Sequence, residues 1–533
     1  MPNLVKLIVK KILPIFPALD GLIYNLKLDK FSQSAHQIIQ FIQQSSLDKY
    51  LQNISQDNPP VGILILPWYS TAVPWYSIVL GIGLIRQEKR VVFIWDDTEF
   101  PVLTDSRFNL RIQNYAIKHV LNHLPQEIKV LRLSQENLSK PSAETNLLCD
   151  LLLDLNITWS LKAGQDNKEL VEEAKKLKKL QIDNLQTTIL KVTTLLGRIS
   201  FEYLILPNGI NNSTGVFLDI AEKQNIRVAT YDSGFNTVLL SSNGIAAQLS
   251  DTPLAIQKIY QANDAVQQWA INEAKKEMGL RLQGKDADKF QAEPFGKIKN
   301  NLKADVVIFL NLEWDAAALG RHHIFKNTIE WVISTIRFVL DTSDKFIVIR
   351  QHPVERYDYA KSNHPIEIAL NQNFLNNEKI RFIRANEQVN SYDLIESASV
   401  VLPYVSTIGI EAAALGKSVI VAGKAYYSNL GFVWAPKYRE MYFEMLKSGI
   451  KGELNILPEQ CEKAWLCYYL AQKCNFLRTD FTPSTEDFLN WSQEKPENIF
   501  KRTEVKNILK SIDKNIPLSW LIHIENYEKQ GYS

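Results

Sequence analysis

The segment Ser406-Thr407-Ile408-Gly409-Ile410-Glu411 brings two hydroxyls, a glycine and a carboxylate together just after the apolar run Ser399-Val400-Val401-Leu402. Such a run reads as a buried strand, and the residues after it as a helix ending at Gly416. The amides of a helix's first turn lack intrahelical partners, so with two hydroxyls beside them they form a ready anion site. Glu411 falls about one turn after Thr407 on the same face, where a carboxylate can accept hydrogen bonds from sugar hydroxyls. Gly409 permits close approach of a ligand or a neighbouring backbone. The same residues also have a purely structural account, with Ser406 capping the helix and Glu411 complementing its dipole.

A second group comes after the run Phe346-Ile347-Val348-Ile349. Arg350 offers a planar fork suited to phosphate oxygens. His352, before Pro353, can hydrogen-bond or carry positive charge toward a phosphate, although a lone His is more often structural. A third group comes after Asp305-Val306-Val307-Ile308-Phe309-Leu310. There Glu313 and Asp315 suit hydroxyls and Arg321 suits a diphosphate; a solvated loop with a capping Asp is the plainer account. In the first half of the chain, Trp68-Tyr69-Ser70, Asp96-Asp97 and Asp232 each stand after an apolar run. Asp96-Asp97 lacks the Asp-x-Asp spacing of a metal motif, and no metal is expected.

All these groups lie just past apolar runs. In an open parallel sheet that is where ligands bind, beyond the carboxyl ends of the strands at the point where strand order reverses. Val61–Leu66 and Val91–Trp95 flank a helical stretch from Pro74 to Gln87, a βαβ unit that requires a parallel sheet. The alternation returns with Tyr203–Leu206 and Ile226–Thr230, and again from residue 303 onward. The expected organisation is a helical segment 1–59, a Rossmann-like domain 60–253, a helical connector 254–302, a second Rossmann-like domain 303–435 and a helical region 436–533. The fold class is therefore α/β, with two doubly wound domains facing a cleft and helical additions at both ends.

Composition narrows the function classes. The chain has 533 residues, 60 basic against 58 acidic, for a net charge of +2. That balance lacks the basic footprint of a nucleic-acid binder. Four cysteines without C-x-x-C spacing point to structural thiols in a reducing compartment. No apolar run reaches the roughly 20 residues of a membrane span. In residues 1–16, Lys6, Lys10 and Lys11 interrupt the apolar stretch, which argues against a signal peptide. On a helix, Leu4, Val5, Ile8, Ile12 and Leu13 would oppose those lysines, as in a helix lying on an anionic membrane or one packed on the domain. A cytoplasmic protein is expected, with peripheral membrane association through residues 1–16 as the alternative to plain packing.

Together, Arg350-Gln351-His352-Pro353, the stretch Tyr404 to Ala412, and Val419-Ile420-Val421-Ala422-Gly423 with Ala425-Tyr426-Tyr427 and Gly431 resemble the capsule polysaccharide biosynthesis family over roughly 300–435. That family is similar to GT-B glycosyltransferases, and some members transfer Kdo from CMP-Kdo. The resemblance implies a nucleotide-sugar donor held mainly by the C-terminal domain, with His352, Ser406, Thr407 and Glu411 contacting it. It also implies a glycan or glycolipid acceptor and no metal or cofactor. The family pattern often has Lys before the His-Pro pair, where this chain has Arg350-Gln351.

An inverting transfer needs a base for the acceptor's proton; Asp232 is the first candidate and Asp97 the second, each also suited to a turn or cap. Trp68, Tyr69 and Ser70 are the expected acceptor contacts. The aromatics Trp68, Tyr69, Trp75 and Tyr76 either stack on sugar rings or fill a core. Two other functions fit the pattern: a polyol-phosphate transferase using a CDP-linked donor, and a non-catalytic GT-B-like scaffold that binds a glycan.

Overall fold

The computed structural model describes residues 20–25, 30–68, 71–98, 107–163, 170–234, 236–283, 285, 303–363, 366–371, 374 and 376–531. These fall into two compact units, one within Met1–Ser160, Glu172–Asp251 and Phe476–Leu521, the other within Leu161–Val171, Thr252–Asn475 and Ile522–Ser533.

In the first unit, β1 (Val61–Ile65), β2 (Val91–Trp95) and β4 (Tyr203–Pro207) are buried at every position. Continuous apolar runs form strands of this kind, covered on both faces. With β3 (Lys129–Arg132) and β5 (Arg227–Gly234) they pair in parallel in the order β5-β4-β1-β2-β3. The chain runs outward from β1 to β3 and then crosses back to β4, so strand order reverses between β1 and β4. β6 (Thr237–Ser241) returns antiparallel on β5, and the two-residue strand Leu477–Arg478 lies antiparallel on β6.

In this unit one expectation is corrected and one open alternative is decided. The strand expected to stop at Thr230 continues to Gly234, because Tyr231 to Gly234 pair with Leu240 to Thr237. Asp232 therefore sits inside a paired strand rather than in a loop. The helix Val73–Ile85 is apolar all round and buried at every residue, as a helix surrounded on all sides must be. Trp75 and Tyr76 are core residues, with Tyr76 packed on Tyr231 and Phe481, so neither ring is offered to a sugar.

In the second unit, β7 (Val306–Phe309), β8 (Ile347–Arg350), β9 (Ile380–Ile383) and β10 (Val400–Pro403) form a parallel sheet in the order β10-β7-β8-β9. Single bridges from Val401 to Val419 and from Ile420 to Trp434 continue it beyond β10. Order again reverses beside the first strand, between β7 and β10. Part of the stretch expected as a connector folds into the helices Thr252–Gln261 and Asp264–Leu282. The second of these starts at an Asn263 cap, packs along Pro458–Lys473 and is tied to it by the Glu277–Lys473 ion pair.

The four cysteines are separate thiols, and burial pushes Cys149 up to about 11, in keeping with structural roles. Among the described residues no helix is long and apolar enough to cross a membrane. Residues 1–16 lie outside the described residues.

Candidate functional site

Where strand order reverses in the second unit, a pocket of about 470 Å³ opens at the carboxyl ends of β7, β8 and β10. That space is open to solvent, and its walls are mostly polar or charged side chains. Phe309 and Leu310 line it from β7, Arg350 to Pro353 from β8, and Ser406 to Ile408 with Glu411 from the segment after β10. Five residues expected to meet a donor thus converge here: Arg350, His352, Ser406, Thr407 and Glu411. Glu313, Asp315 and Arg321 are not among its walls. From their segment, Asn311 braces the loop after β10, its Oδ1 accepting from the Val405 amide at 3.1 Å. Arg321 is largely buried, which lowers its pKa, and its carbonyl accepts from the Lys424 amide at 2.8 Å.

The loop after β10 is held from below. The Tyr427 hydroxyl donates to the Ser406 carbonyl at 2.5 Å. Gly409 makes room for it, since a Cβ there would lie 2.5 Å from the Tyr427 oxygen and 2.8 Å from Pro403 Cγ. The glycine thus admits a protein side chain rather than a ligand. Thr407 precedes the helix Ile408–Ala414 and makes no capping hydrogen bond through its side chain. Ser406 and Thr407 are half-exposed in the pocket wall, so the hydroxyl of Thr407 is not spent on the helix.

Three expected ligand groups behave differently in the fold. Glu411 is 2% exposed; its Oε2 accepts from the Tyr392 hydroxyl at 2.7 Å, and its Oε1 lies 3.9 Å from Arg281 Nη2. Its carboxylate is engaged by protein rather than presented to sugar hydroxyls. Arg350 is 1% exposed, with Nη1 donating to the Arg384 carbonyl at 2.6 Å and Nη2 to that of Val389 at 3.5 Å. Much of its fork braces the loop after β9, leaving mainly its charge to the pocket. The His352 Nδ1 accepts from the Val354 amide at 3.3 Å, which assigns the ring proton to Nε2. Close packing and the charge of Arg350 hold its pKa down to about 4. His352 is therefore a neutral hydrogen-bond donor near pH 7, the first of its two expected roles rather than a positive charge.

Arg281 and Tyr392 complete the pocket, and no sequence pattern marked them. Arg281 lies in the last turn of a helix in the stretch expected only as a connector, and Tyr392 follows the Asn390 cap of the short helix Ser391–Ser397. Burial and the neighbouring Glu411 charge push the Tyr392 hydroxyl far above its ordinary pKa, so it stays a donor.

In the first unit, Asp97 accepts from Arg132 Nη2 at 2.6 Å and Nε at 2.8 Å, and from the Ser134 amide and hydroxyl at 2.8 and 2.5 Å. A carboxylate so occupied ties β2 to the end of β3, which corrects its candidacy as a base. Asp96 is 3% exposed and accepts from the amide and hydroxyl of Thr98. Asp232 is only partly exposed; its Oδ1 accepts from the Ser233 amide at 2.8 Å and its Oδ2 from Asn208 Nδ2 at 3.2 Å. Burial raises its pKa against the opposing pull of those two donors. Trp68 is partly buried and packs against the core, while Tyr69 and Ser70 lie outside the described residues. Among the described residues no group of three or more His, Cys, Asp or Glu is arranged to hold a metal ion.

Residues 260–444 match the family described as capsule polysaccharide biosynthesis protein. The resemblance carried by the His-Pro and Ser-Thr-Ile-Gly-Ile-Glu segments is thereby borne out over that stretch, which contains every residue of the pocket. A search of curated protein sequences finds no match. Among solved structures, the chain is similar to a beta Kdo 2,4 transferase, KpsC of Thermosulfurimonas dismutans, at 13% identity and a TM-score of 0.34, over 50% of this chain and 79% of that one. It is also similar to the UDP-GlcNAc 2-epimerase of Methanocaldococcus jannaschii at 11% identity and a TM-score of 0.23, over 73% and 92% of the two chains. A glycotransferase of kitacinnamycin matches at 10% identity and a TM-score of 0.22, over 78% and 96%. Likenesses this distant leave the site to be read from its own residues.

Proposed function

We propose that this protein is a GT-B-like glycosyltransferase of capsular or surface polysaccharide synthesis. It binds a nucleotide-sugar in the pocket after β7, β8 and β10 and moves the sugar to a glycan or glycolipid. The observation that carries this reading is the furnishing of that pocket: two arginines, a neutral His352 donor and the hydroxyls of Ser406 and Thr407, all within the matched segment. A leaving nucleotide develops negative charge on its phosphate, and fixed donors and cations offset such charge without a metal or cofactor.

Asp232 is the base of this proposal. Its raised pKa moves it toward the operating pH, where a carboxylate both accepts a proton and gives it up. Trp68, with Tyr69 and Ser70, is the acceptor-side contact. Residues 1–16, apolar with three lysines, would hold the protein at the inner face of an anionic membrane. If so, cosedimentation with anionic vesicles is lost when these residues are deleted.

Thermal shift and calorimetry with CMP, CDP, UDP and GDP, and with sugars linked to them, test the donor site. One nucleotide is expected to bind, and His352→Ala and the Ser406→Ala/Thr407→Ala pair are each expected to weaken it by ~10-fold, the scale of a lost charge-assisted hydrogen bond. Failure of every nucleotide and nucleotide-sugar to bind the wild-type protein ends this reading. A preference for CDP joined to a polyol would favour the polyol-phosphate alternative.

A further inference from the structure

The arrangement around Glu411 points to a division of labour between two charged residues. Glu411 is almost wholly enclosed, and the Tyr392 hydroxyl occupies one of its oxygens at 2.7 Å. The other oxygen faces Arg281 Nη2 at 3.9 Å. That distance preserves the attraction but exceeds hydrogen-bond length. Arg281 thus keeps its charge beside Glu411 without a two-pronged bond to it, and it also hydrogen-bonds the Tyr468 side chain. Its side chain is 9% exposed and, like Glu411, lines the pocket. The helix that carries it is anchored along Pro458–Lys473, and the helix bearing Glu411 packs on the same element.

An anion entering this pocket is repelled by the carboxylate and drawn to the guanidinium, whose planar fork matches phosphate oxygens. We propose that Arg281 contacts the donor's phosphate, and that Glu411, fixed by Tyr392, is a positioning residue that holds Arg281 in place rather than a ligand of the sugar. This rests on the nucleotide-sugar reading above and goes beyond it by assigning the phosphate to a residue that lies within the matched stretch but outside the His-Pro and Ser-Thr motifs.

The test compares a nucleotide with its own nucleoside in the full-length protein. For whichever of CMP, CDP, UDP or GDP binds the wild type, Arg281→Ala is expected to weaken binding at least ~10-fold while leaving the weak binding of the matching nucleoside unchanged, because only the phosphate is lost as a partner. Arg281→Lys should restore part of the loss, since it keeps the charge but not the fork. Glu411→Gln keeps an acceptor for Tyr392 and removes the charge that holds Arg281. It should weaken free nucleotide and nucleotide-sugar by the same factor, whereas a sugar ligand would affect only the nucleotide-sugar.

Equal losses for nucleotide and nucleoside in Arg281→Ala, or no loss in either, overturn the assignment of the phosphate. A Glu411→Gln effect confined to the nucleotide-sugar overturns the positioning role. Absence of any nucleotide binding in the wild type instead overturns the functional reading on which both depend.

Discussion

The two units build the same parallel order around their first strand, yet the strand ends where each order reverses are furnished in opposite ways. In the second unit the reversal holds cations, a neutral imidazole and two hydroxyls around open space. In the first, the acids are already engaged: Asp97 by Arg132 and Ser134, Asp96 by Thr98, and Asp232 by Asn208 and Ser233. One backbone plan therefore supports an anion site in one place and an internally satisfied set of carboxylates in the other. Topology fixes where a site can be, and the side chains decide whether it binds, titrates or merely holds the sheet together.

The sharpest way to break this contrast is to remove Asp232, the acid proposed as the base. Asp232→Asn is expected to cut the transfer rate by ~10²–10⁴-fold, the usual scale of a lost general base, with nucleotide affinity unchanged. It should also alter stability in a sign-specific way. Burial raises the folded pKa of Asp232, so its contribution to stability is fully present below the unfolded carboxylate value of about 4 and is lost as pH rises through the folded value. Urea titrations across pH should show that dependence in the wild type and its removal in the variant.

Next in size comes Gly409→Val. Its side chain would strike Tyr427 and Pro403 and displace the Ser406 carbonyl. A stability loss of about 1–3 kcal/mol is expected from overpacking, together with loss of nucleotide binding by calorimetry. Asp97→Asn should lower stability by about 1–3 kcal/mol, the cost of unpairing partly buried donors with Arg132 in part exposed. Nucleotide affinity should stay at the wild-type value; a drop comparable to that of Gly409→Val would break the contrast between the units.

The smallest effect is an expected constancy. Since the His352 pKa is held down to about 4, nucleotide affinity should gain nothing from this residue as pH falls from about 8 to about 5, once the phosphate's own titration is subtracted. An imidazole with an ordinary pKa of about 6.5 would tighten binding over that interval.

Much of the fold was legible because buried parallel strands are spelled as unbroken apolar runs. Val91–Trp95 appears as expected, and β1, β4, β7 and β10 fall within a residue or two of theirs. The half-exposed β3 has no such run, and the return of β5 into β6 depends on pairing that periodicity does not record. For the site, the segments around His352 and Ser406 stood out because polar residues come directly after apolar runs. Arg281 did not, since one arginine in a charged helix looks like any other until the helix is packed.

The sequence by itself determined the two α/β alternations, the ends of the strands that matter and the residue types gathered there. All of these arise from local patterning of apolar and polar residues. Only the tertiary structure decided what each charged group does. It enclosed Glu411 against Tyr392, turned much of Arg350 toward backbone carbonyls, neutralised His352, and brought Arg281 beside Glu411, 130 residues further along the chain. The reason is physical: burial and the nearest partner set the state of a charge, and both are properties of packing rather than of sequence order.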